Sequence, residues 1–335
     1  MQHTTSSRGG PRTRRRRAAA AGVAVGALLL TACGGGGAEE VPGADGSLSF
    51  ATGGTGGVYY PYGGGIANVL TQNLEGISAT VQETNASVDN MLLVQAGSAD
   101  LALGLSDVVS DAVQGVNAFE GNPVAICALG RLYDNYTQPI TTAGTGIETV
   151  EDMRGKRVSL GSPGSASEVL AIRILEAAGL DADTDIQRAQ LGVGETVQAL
   201  RDGTIDAGFW SGGLPTGALV DLASTGEMVL IPTAKYAESM AAQYGEFYVA
   251  DEIPAGVYQG QTEPSPQVVA PNVLVVRTDM PQQLQQDITR TIFDNKEALL
   301  QVHPAAEELD PATAVDIGFI DICPGAQAYF DQASG

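Results

Sequence analysis

The sequence has 335 residues, 44% hydrophobic and 17% charged, and its 17 Lys and Arg against 39 Asp and Glu give a net charge of −22. That balance excludes an ordinary nucleic-acid partner, which needs clustered Lys and Arg to neutralise phosphates, and broad docking on anionic lipid. The length suits two domains with cores of their own, while two histidines, one of them His3, leave little material for a His-based active site.

Residues 1–17 hold six arginines and no acid, and a 13-residue apolar run from Ala18 ends in Leu30-Thr31-Ala32-Cys33. A basic stretch, a short apolar stretch and small residues before a cut mark a secretory signal peptide. Thirteen helical residues span only about 20 Å, short of a bilayer core of ~30 Å. The Leu-Thr-Ala-Cys end resembles a bacterial lipobox, in which the cysteine is acylated. Residues 1–32 are therefore expected to be a lipoprotein signal, Cys33 the lipidated residue, and 33–46 a flexible Gly-rich tether opening on Gly34–Gly37. An ordinary signal with a chance cysteine is the alternative, and Arg14–Arg17 leaves the export route open between the general and twin-arginine systems. Cleavage leaves 11 basic and 39 acidic residues, a net charge of −28. Two further cysteines, Cys127 and Cys323, form an even pair, which in an exported chain reads as a disulfide. Two buried free thiols are the alternative.

In chain order, Leu48–Ala51 reads as a strand, Thr52–Gly57 as a Gly-rich turn and Pro61–Leu74 as a helix. Ile77–Gln82 alternates like a strand, Ser87–Gln95 is helical, Asp100–Leu103 is a strand and a helix starts near Asp107. The pattern restarts after Pro139: strand Val158–Leu160, helix Ser165–Ala178 closed by Gly179, strand Ile186–Leu191, helix Gly194–Asp202, strand Ala207–Trp210 and helix Pro215–Ala223. Val268–Arg277 reads as a long strand crossing between domains, and Pro281–Val302 as a helix returning to the first. Strands alternating with helices of this length predict an α/β fold with a largely parallel sheet. A second α/β unit at 138–260 is inserted into a first made of 47–137 and 261–335.

In open α/β sheets ligands bind beyond the carboxyl ends of the strands, at the following helix N-termini. Five junctions share one chemistry: Gly53–Gly57, Thr84–Ser87, Ser106-Asp107, Gly161–Ser167 and Ser211–Thr216. Glycines and hydroxyls there leave backbone N–H groups free to hold an anion without a cation. N-capping accounts for any one of them, but five divided over two domains point to a shared ligand.

The motif Ala51-Thr-Gly-Gly-Thr-Gly-Gly-Val-Tyr-Tyr-Pro-Tyr-Gly-Gly-Gly65 resembles the opening signature of the TAXI group of solute receptors of tripartite ATP-independent periplasmic (TRAP) transporters. The likeness continues through Glu83–Asn90, Gly155–Ser165, Arg173–Gly179, Gly213–Gly217 and His303–Ala306, and covers 47–335. It implies a two-lobed periplasmic-binding-protein-like (type II) fold, closing about a hinge on an interlobe ligand cleft. The cargo it implies is a small organic anion or amino acid, glutamate- or dicarboxylate-like, delivered to a membrane permease. Two departures stand out. The family's Pro-Gly-Ser-Gly-Thr is here Pro163-Gly-Ser-Ala-Ser167, and its closing His-Pro-Gly-Ala is Cys323-Pro-Gly-Ala326. Carried over by position, the ligand-binding residues expected are Gly54, Thr55, Tyr60, Ser87, Asn90, Ser106, Ser162, Ser165, Ser167, Trp210 and Thr216. Tyr59, Tyr60 and Trp210 serve equally well as core aromatics. Hinge strands are expected near Asp134–Pro139 and Val257–Val269.

An enzyme needs a poised acid, base, nucleophile or metal. There is no Gly-x-Ser-x-Gly elbow, and His303 precedes Pro304 at a helix end. Asp181-x-Asp183-x-Asp185 opens like a Ca²⁺ loop but has Ile186 and Gly192 at positions six and twelve. Thr52–Gly57 lacks the lysine of a P-loop. No catalysis, metal or cofactor is expected. The expectation is a monomeric, lipid-anchored receptor on the outer face of the cytoplasmic membrane (or periplasmic), with a small-molecule cargo and a TRAP permease as partners. The alternatives are the receptor of an ATP-driven (ABC) importer, an exported hydrolase, and a structural lipoprotein.

Overall fold

The computed structural model describes residues 42–333 apart from 44, 226 and 227. The signal segment, Cys33 and most of the tether lie outside the described residues. The strands are β1 (Ser47–Ala51), β2 (Ser78–Gln82), β3 (Leu101–Leu105), β4 (Ile126–Thr137), β5 (Ile140–Thr142), β6 (Arg157–Ser159), β7 (Gln187–Ala189), β8 (Ala207–Gly208), β9 (Ser211–Gly212), β10 (Met228–Leu230), β11 (Val249–Ile253) and β12 (Ser265–Arg277). The helices are α1 (Tyr59–Asn73), α2 (Ser87–Gln95), α3 (Ser106–Gln114), α4 (Ala166–Ala177), α5 (Val193–Arg201), α6 (Gly217–Ala223), α7 (Ala237–Tyr244), α8 (Gln282–Asp294), α9 (Lys296–Leu300) and α10 (Pro324–Ala333). None is long and apolar enough to cross a membrane among the described residues.

Two sheets result. The larger runs β2-β1-β3-β12-β4-β9 with β11 paired to β12, and the smaller runs β10-β5-β8-β6-β7. β1 is parallel to β2 and β3, and β6 is parallel to β7 and β8. β3, Leu-Ala-Leu-Gly-Leu, lies between parallel β1 and antiparallel β12 and is buried at all five positions. The larger sheet is mixed rather than largely parallel as expected, since β12 is antiparallel to β3, β4 and β11, and β4 to β9. The architecture is the expected two-lobed α/β one.

Several elements differ from the sequence reading. The expected helix over 281–302 is broken at Asn295, whose Nδ2 donates to Thr291 O at 2.8 Å and offers the chain an alternative to the next helical bond. Of β4 only the last residues, from Asp134, fall in an expected strand. Gly130, Arg131, Asp134 and Asn135 spoil its alternation, yet most of its residues are buried. It passes through Gln138-Pro139 directly into β5 of the smaller sheet, so the segment at 134–139 links the two sheets. β12 stays wholly in the larger sheet, against β3, β4 and β11, rather than crossing. Its thirteen residues find a full ladder there, and the chain has already returned to the larger sheet at β11, after the segment 231–248 that follows β10 of the smaller one. β9 and β11, inside the range 138–260, also join the larger sheet.

Cys127 on β4 and Cys323 before α10 are disulfide-bonded, with Cα atoms 5.0 Å apart. Backbone bonds Ala128 N to Asp321 O (2.9 Å) and Cys323 N to Ala128 O (2.8 Å) hold the same segments together. The lobes are joined by a buried ionic group. Arg173 of α4 meets Asp111 of α3 at 2.7 Å and Asp107 at 3.6 Å, donates to Tyr248 Oη at 2.9 Å, and stacks over the Tyr244 ring of α7. Tyr248 Oη donates in turn to Asp107 Oδ2 at 2.7 Å. Val108 and Met91 of the larger lobe share one core with Leu170 and Ile174 of α4.

Reduction of the disulfide, or Cys127→Ser with Cys323→Ser, removes a closure between segments 196 residues apart. It is expected to cost about 2–5 kcal/mol, read as a fall in melting temperature on adding reductant and an absence of free thiol before it. Arg173→Met leaves two carboxylates in a dry site and is expected to cost about 3–5 kcal/mol. Burial already raises the Asp107 carboxyl above its ordinary range, against the pull of Arg173 and the Tyr248 hydroxyl. A raised folded value means stability is present at low pH and lost as pH rises through that value. Removing Arg173 enlarges this, so the melting deficit of the variant against wild type should be smaller at pH 5 than at pH 8.

Candidate functional site

Four helices begin at one place. The cleft between the sheets is lined by Val58 and Tyr59 where α1 starts, Ala86 and Ser87 where α2 starts, Ser165, Ala166 and Ser167 where α4 starts, and Gly192 and Val193 where α5 starts. Each follows the carboxyl end of a strand (β1, β2, β6 and β7). Two helix ends come from each lobe. Helix N-termini carry partial positive charge and N–H donors, which favour an anion in the cleft without a cation, although Asp89, Glu168 and Glu195 stand in the first turns of α2, α4 and α5. Gly53, Gly54, Gly57, Thr84, Asn85, Asn135, Ser162, Trp210, Ser211 and Gly212 complete the wall. No Asp, Glu, Lys, Arg or His is among these residues.

The polar floor is built in layers. Tyr59 Oη donates to Asn272 Oδ1 in a short hydrogen bond and lies 3.5 Å from Ser87 Oγ, which accepts from Leu105 N–H at 3.2 Å. Burial lifts the Tyr59 phenol well above its ordinary value, so it is a neutral group. Ser165 Oγ caps α4 by accepting from Glu168 N–H at 3.2 Å, and Ser167 Oγ accepts from Ser211 N–H at 3.0 Å. Two wall atoms have no partner: Asn135 Oδ1 and Ser211 Oγ, in residues 3% and 5% exposed. Seven other buried side-chain polar atoms of the described residues also lack a partner. In this wall the Ser211 hydroxyl is free to donate to an anion, whereas the Asn135 amide oxygen calls for a donor such as a ligand hydroxyl. The other flank is the indole of Trp210, the sequence's single tryptophan, held from behind by Nε1 donating to Thr216 Oγ1 at 2.9 Å. A Cβ at Gly57 would come within 2.8 Å of that ring, so this glycine is needed for close packing. The space enclosed is about 60 Å³, less than the ~150 Å³ of a cavity that admits benzene. The lobes are therefore nearly shut.

Contacts across the cleft agree with this. Gly164 O of the smaller lobe accepts from Val88 N–H (3.2 Å) and Asp89 N–H (3.4 Å) in the first turn of α2. Gly56 O accepts from Ala218 N–H at 3.4 Å. His303 Nδ1 accepts from Ala305 N–H at 3.1 Å, which leaves Nε2 to donate to Pro215 O at 3.3 Å. Burial lowers the His303 pKa and keeps it neutral, away from the lining.

Of the residues expected to touch ligand, Gly54, Ser87, Ser162, Ser165, Ser167 and Trp210 line this one cleft. The remaining five lie outside the lining. Thr55 N–H is bonded to Glu83 Oε1 at 3.3 Å on an exposed turn. Tyr60 is half-buried and Tyr59 takes its expected place, because adjacent helical residues point about 100° apart. Asn90 sits beneath the floor, its Nδ2 donating to Thr52 O (2.7 Å) and Leu103 O (2.8 Å) and its Oδ1 accepting from Thr84 Oγ1 (2.6 Å). Ser106 is buried at the start of α3, and Thr216 supports Trp210. Sequence reasoning placed Asn135 in a hinge strand and did not name it among the lining residues. It also missed the turn at Gly192-Val193, which the signal of a glycine between a strand and a helix marks.

Residues 50–333 match the model of the NMT1-like family. Among solved structures, the chain is similar to PhnD1 from Prochlorococcus marinus (MIT 9301) in complex with methylphosphonate, at 9% identity over 79% of this chain and 91% of that one, with a TM-score of 0.53. It is also similar to the periplasmic aliphatic sulphonate binding protein SsuA from Escherichia coli (16% identity, 85% and 82% covered, TM-score 0.47). A third is an ABC uptake transporter substrate binding protein from Streptococcus pneumoniae with bound histidine (15%, 77% and 92%, TM-score 0.47). The likeness to PhnD1 bears on fold alone, the two-lobed type II arrangement with a ligand-binding cleft. The chain belongs to the NMT1-like family.

Proposed function

We propose that this protein is an exported solute receptor that captures a small organic anion between its lobes and delivers it to a membrane importer. The observation that carries the reading is the convergence of four helix N-termini, two from each lobe, on a cleft with two orphaned polar side chains. An anion there touches both lobes only when they are shut, and so shifts the population toward the closed form. Binding without catalysis suits the lining, whose hydroxyls have no acid, base or metal ligand beside them. The methylphosphonate of the PhnD1 complex fits the same ligand class. We read Cys33 as the lipid anchor and the smaller sheet with the helices packed on it as the moving lobe. For the importer, the ABC class that the S. pneumoniae protein's description names is our first reading. The TRAP partner and TAXI lineage rest on the sequence motifs.

Trp210 supplies the test. Titrating the purified chain with C2–C5 carboxylates, sulfonates and phosphonates should change its fluorescence, and a ligand at 100 times its Kd should add about 2.7 kcal/mol of stability. Asn135→Ala and Gly57→Ala should each weaken that binding at least tenfold. Gly64→Ala, where a Cβ meets nothing within 4 Å, should leave it unchanged. No response to any anion, in protein freed of carried-over ligand, would end the receptor reading.

A further inference from the structure

The same cleft decides more than the sign of one charge, on the reading that it is the receptor site. Carboxylates are plentiful nearby, but each is already committed. Glu83 accepts from Thr55 N–H at 3.3 Å and Glu195 from Gly192 N–H at 3.1 Å. Asp89 accepts from Asn85 N–H at 3.2 Å. Glu168 accepts from Gly164 N–H at 2.9 Å and pairs with Arg188 at 2.5 Å. The cation of that pair is also held by Asp183 at 2.8 Å. None of these groups lines the cavity.

An ammonium entering such a space would lose its water, meet no carboxylate in the lining and find one open side-chain acceptor, the neutral Asn135 amide oxygen, at helix ends whose first-turn acids Asp89, Glu168 and Glu195 lie outside the lining. Burying a charge without a partner is strongly unfavourable, and the dipoles add to the penalty rather than offset it. The anionic end of a ligand has the opposite experience, and its carbon body meets Val58, Ala86, Ala166, Val193 and the Trp210 indole. We infer that the cargo is an organic oxoanion with a short apolar body and no cationic group. The cleft then rejects α-amino acids, glutamate included, while accepting their amine-free counterparts.

Ligand series that differ at one substituent test this: 2-aminobutyrate, 2-hydroxybutyrate, 2-oxobutyrate and butyrate, then glutamate, 2-hydroxyglutarate, 2-oxoglutarate and glutarate. Taurine, 2-hydroxyethanesulfonate and ethanesulfonate form the sulfonate arm. Calorimetric titration of the purified chain, with Trp210 fluorescence as a second readout, gives the Kd values. In whichever series binds, the amino member should bind at least tenfold more weakly than the hydroxy member, which is similar in size and uncharged. Comparable or tighter binding of the amino member overturns the inference and leaves the receptor reading standing. Equal loss for the amino and hydroxy members overturns it as well, since exclusion is then a matter of size. Silence across all three series overturns the inference together with the anion-receptor reading.

Discussion

The cleft depends on where α1, α2, α4 and α5 begin. A helix that starts just beyond a strand has no turn before it to take up its first N–H groups, and four such starts are gathered within one small space. That arrangement fixes the side chains the wall can carry. Glycines at 53, 54 and 57 let the backbone approach, hydroxyls of Ser87, Ser165 and Ser167 continue the field of the amides, and the apolar residues fill what is left. A lysine or arginine would add little to an electrostatic environment the backbone already provides. It would also bring a long, mobile side chain that must be ordered at an entropic cost.

The junction chemistry was legible in the sequence because glycine and serine between a strand and a helix have a local cause. Gly54, Ser87, Ser162, Ser165 and Ser167 follow from it, and the bounds of α2 agree with its apolar spacing and its start at Ser87. What was illegible arises from long-range packing. Asn135 lies on a strand whose sequence mixes Gly130, Arg131 and Asp134 with buried leucines, and only its place between β12 and β9 explains the pattern. Tyr59 and Tyr60 differ by one helical step, and the sequence holds no sign of which one faces the cleft. Asn90 looks like a ligand group because an amide can both donate and accept. The interior needed those capacities for Thr52, Leu103 and Thr84.

Charge is distributed with the same economy. The chain is strongly acidic, yet among the described residues the most buried ion pairs lie between the lobes, where Arg173 meets Asp107 and Asp111. Buried ion pairs contribute little net stability compared with an apolar alternative, but they tolerate only one geometry. Here that geometry sets how α4 lies on α3. The surface acids are screened from the cleft beyond about 8 Å at physiological ionic strength, so an acidic exterior and a cleft that favours an anion coexist.

The two hydrogen bonds from the first turn of α2 to Gly164 O have a further meaning for a receptor of the proposed kind. They join the lobes through protein atoms alone, so a cargo need not supply the whole of closure by its own contacts. What it adds is a second set of contacts to both lobes, all of which must break before the lobes part. The clasp and the cargo then resist one and the same motion, and the strength of the clasp sets how weakly a ligand can bind and still hold the lobes together.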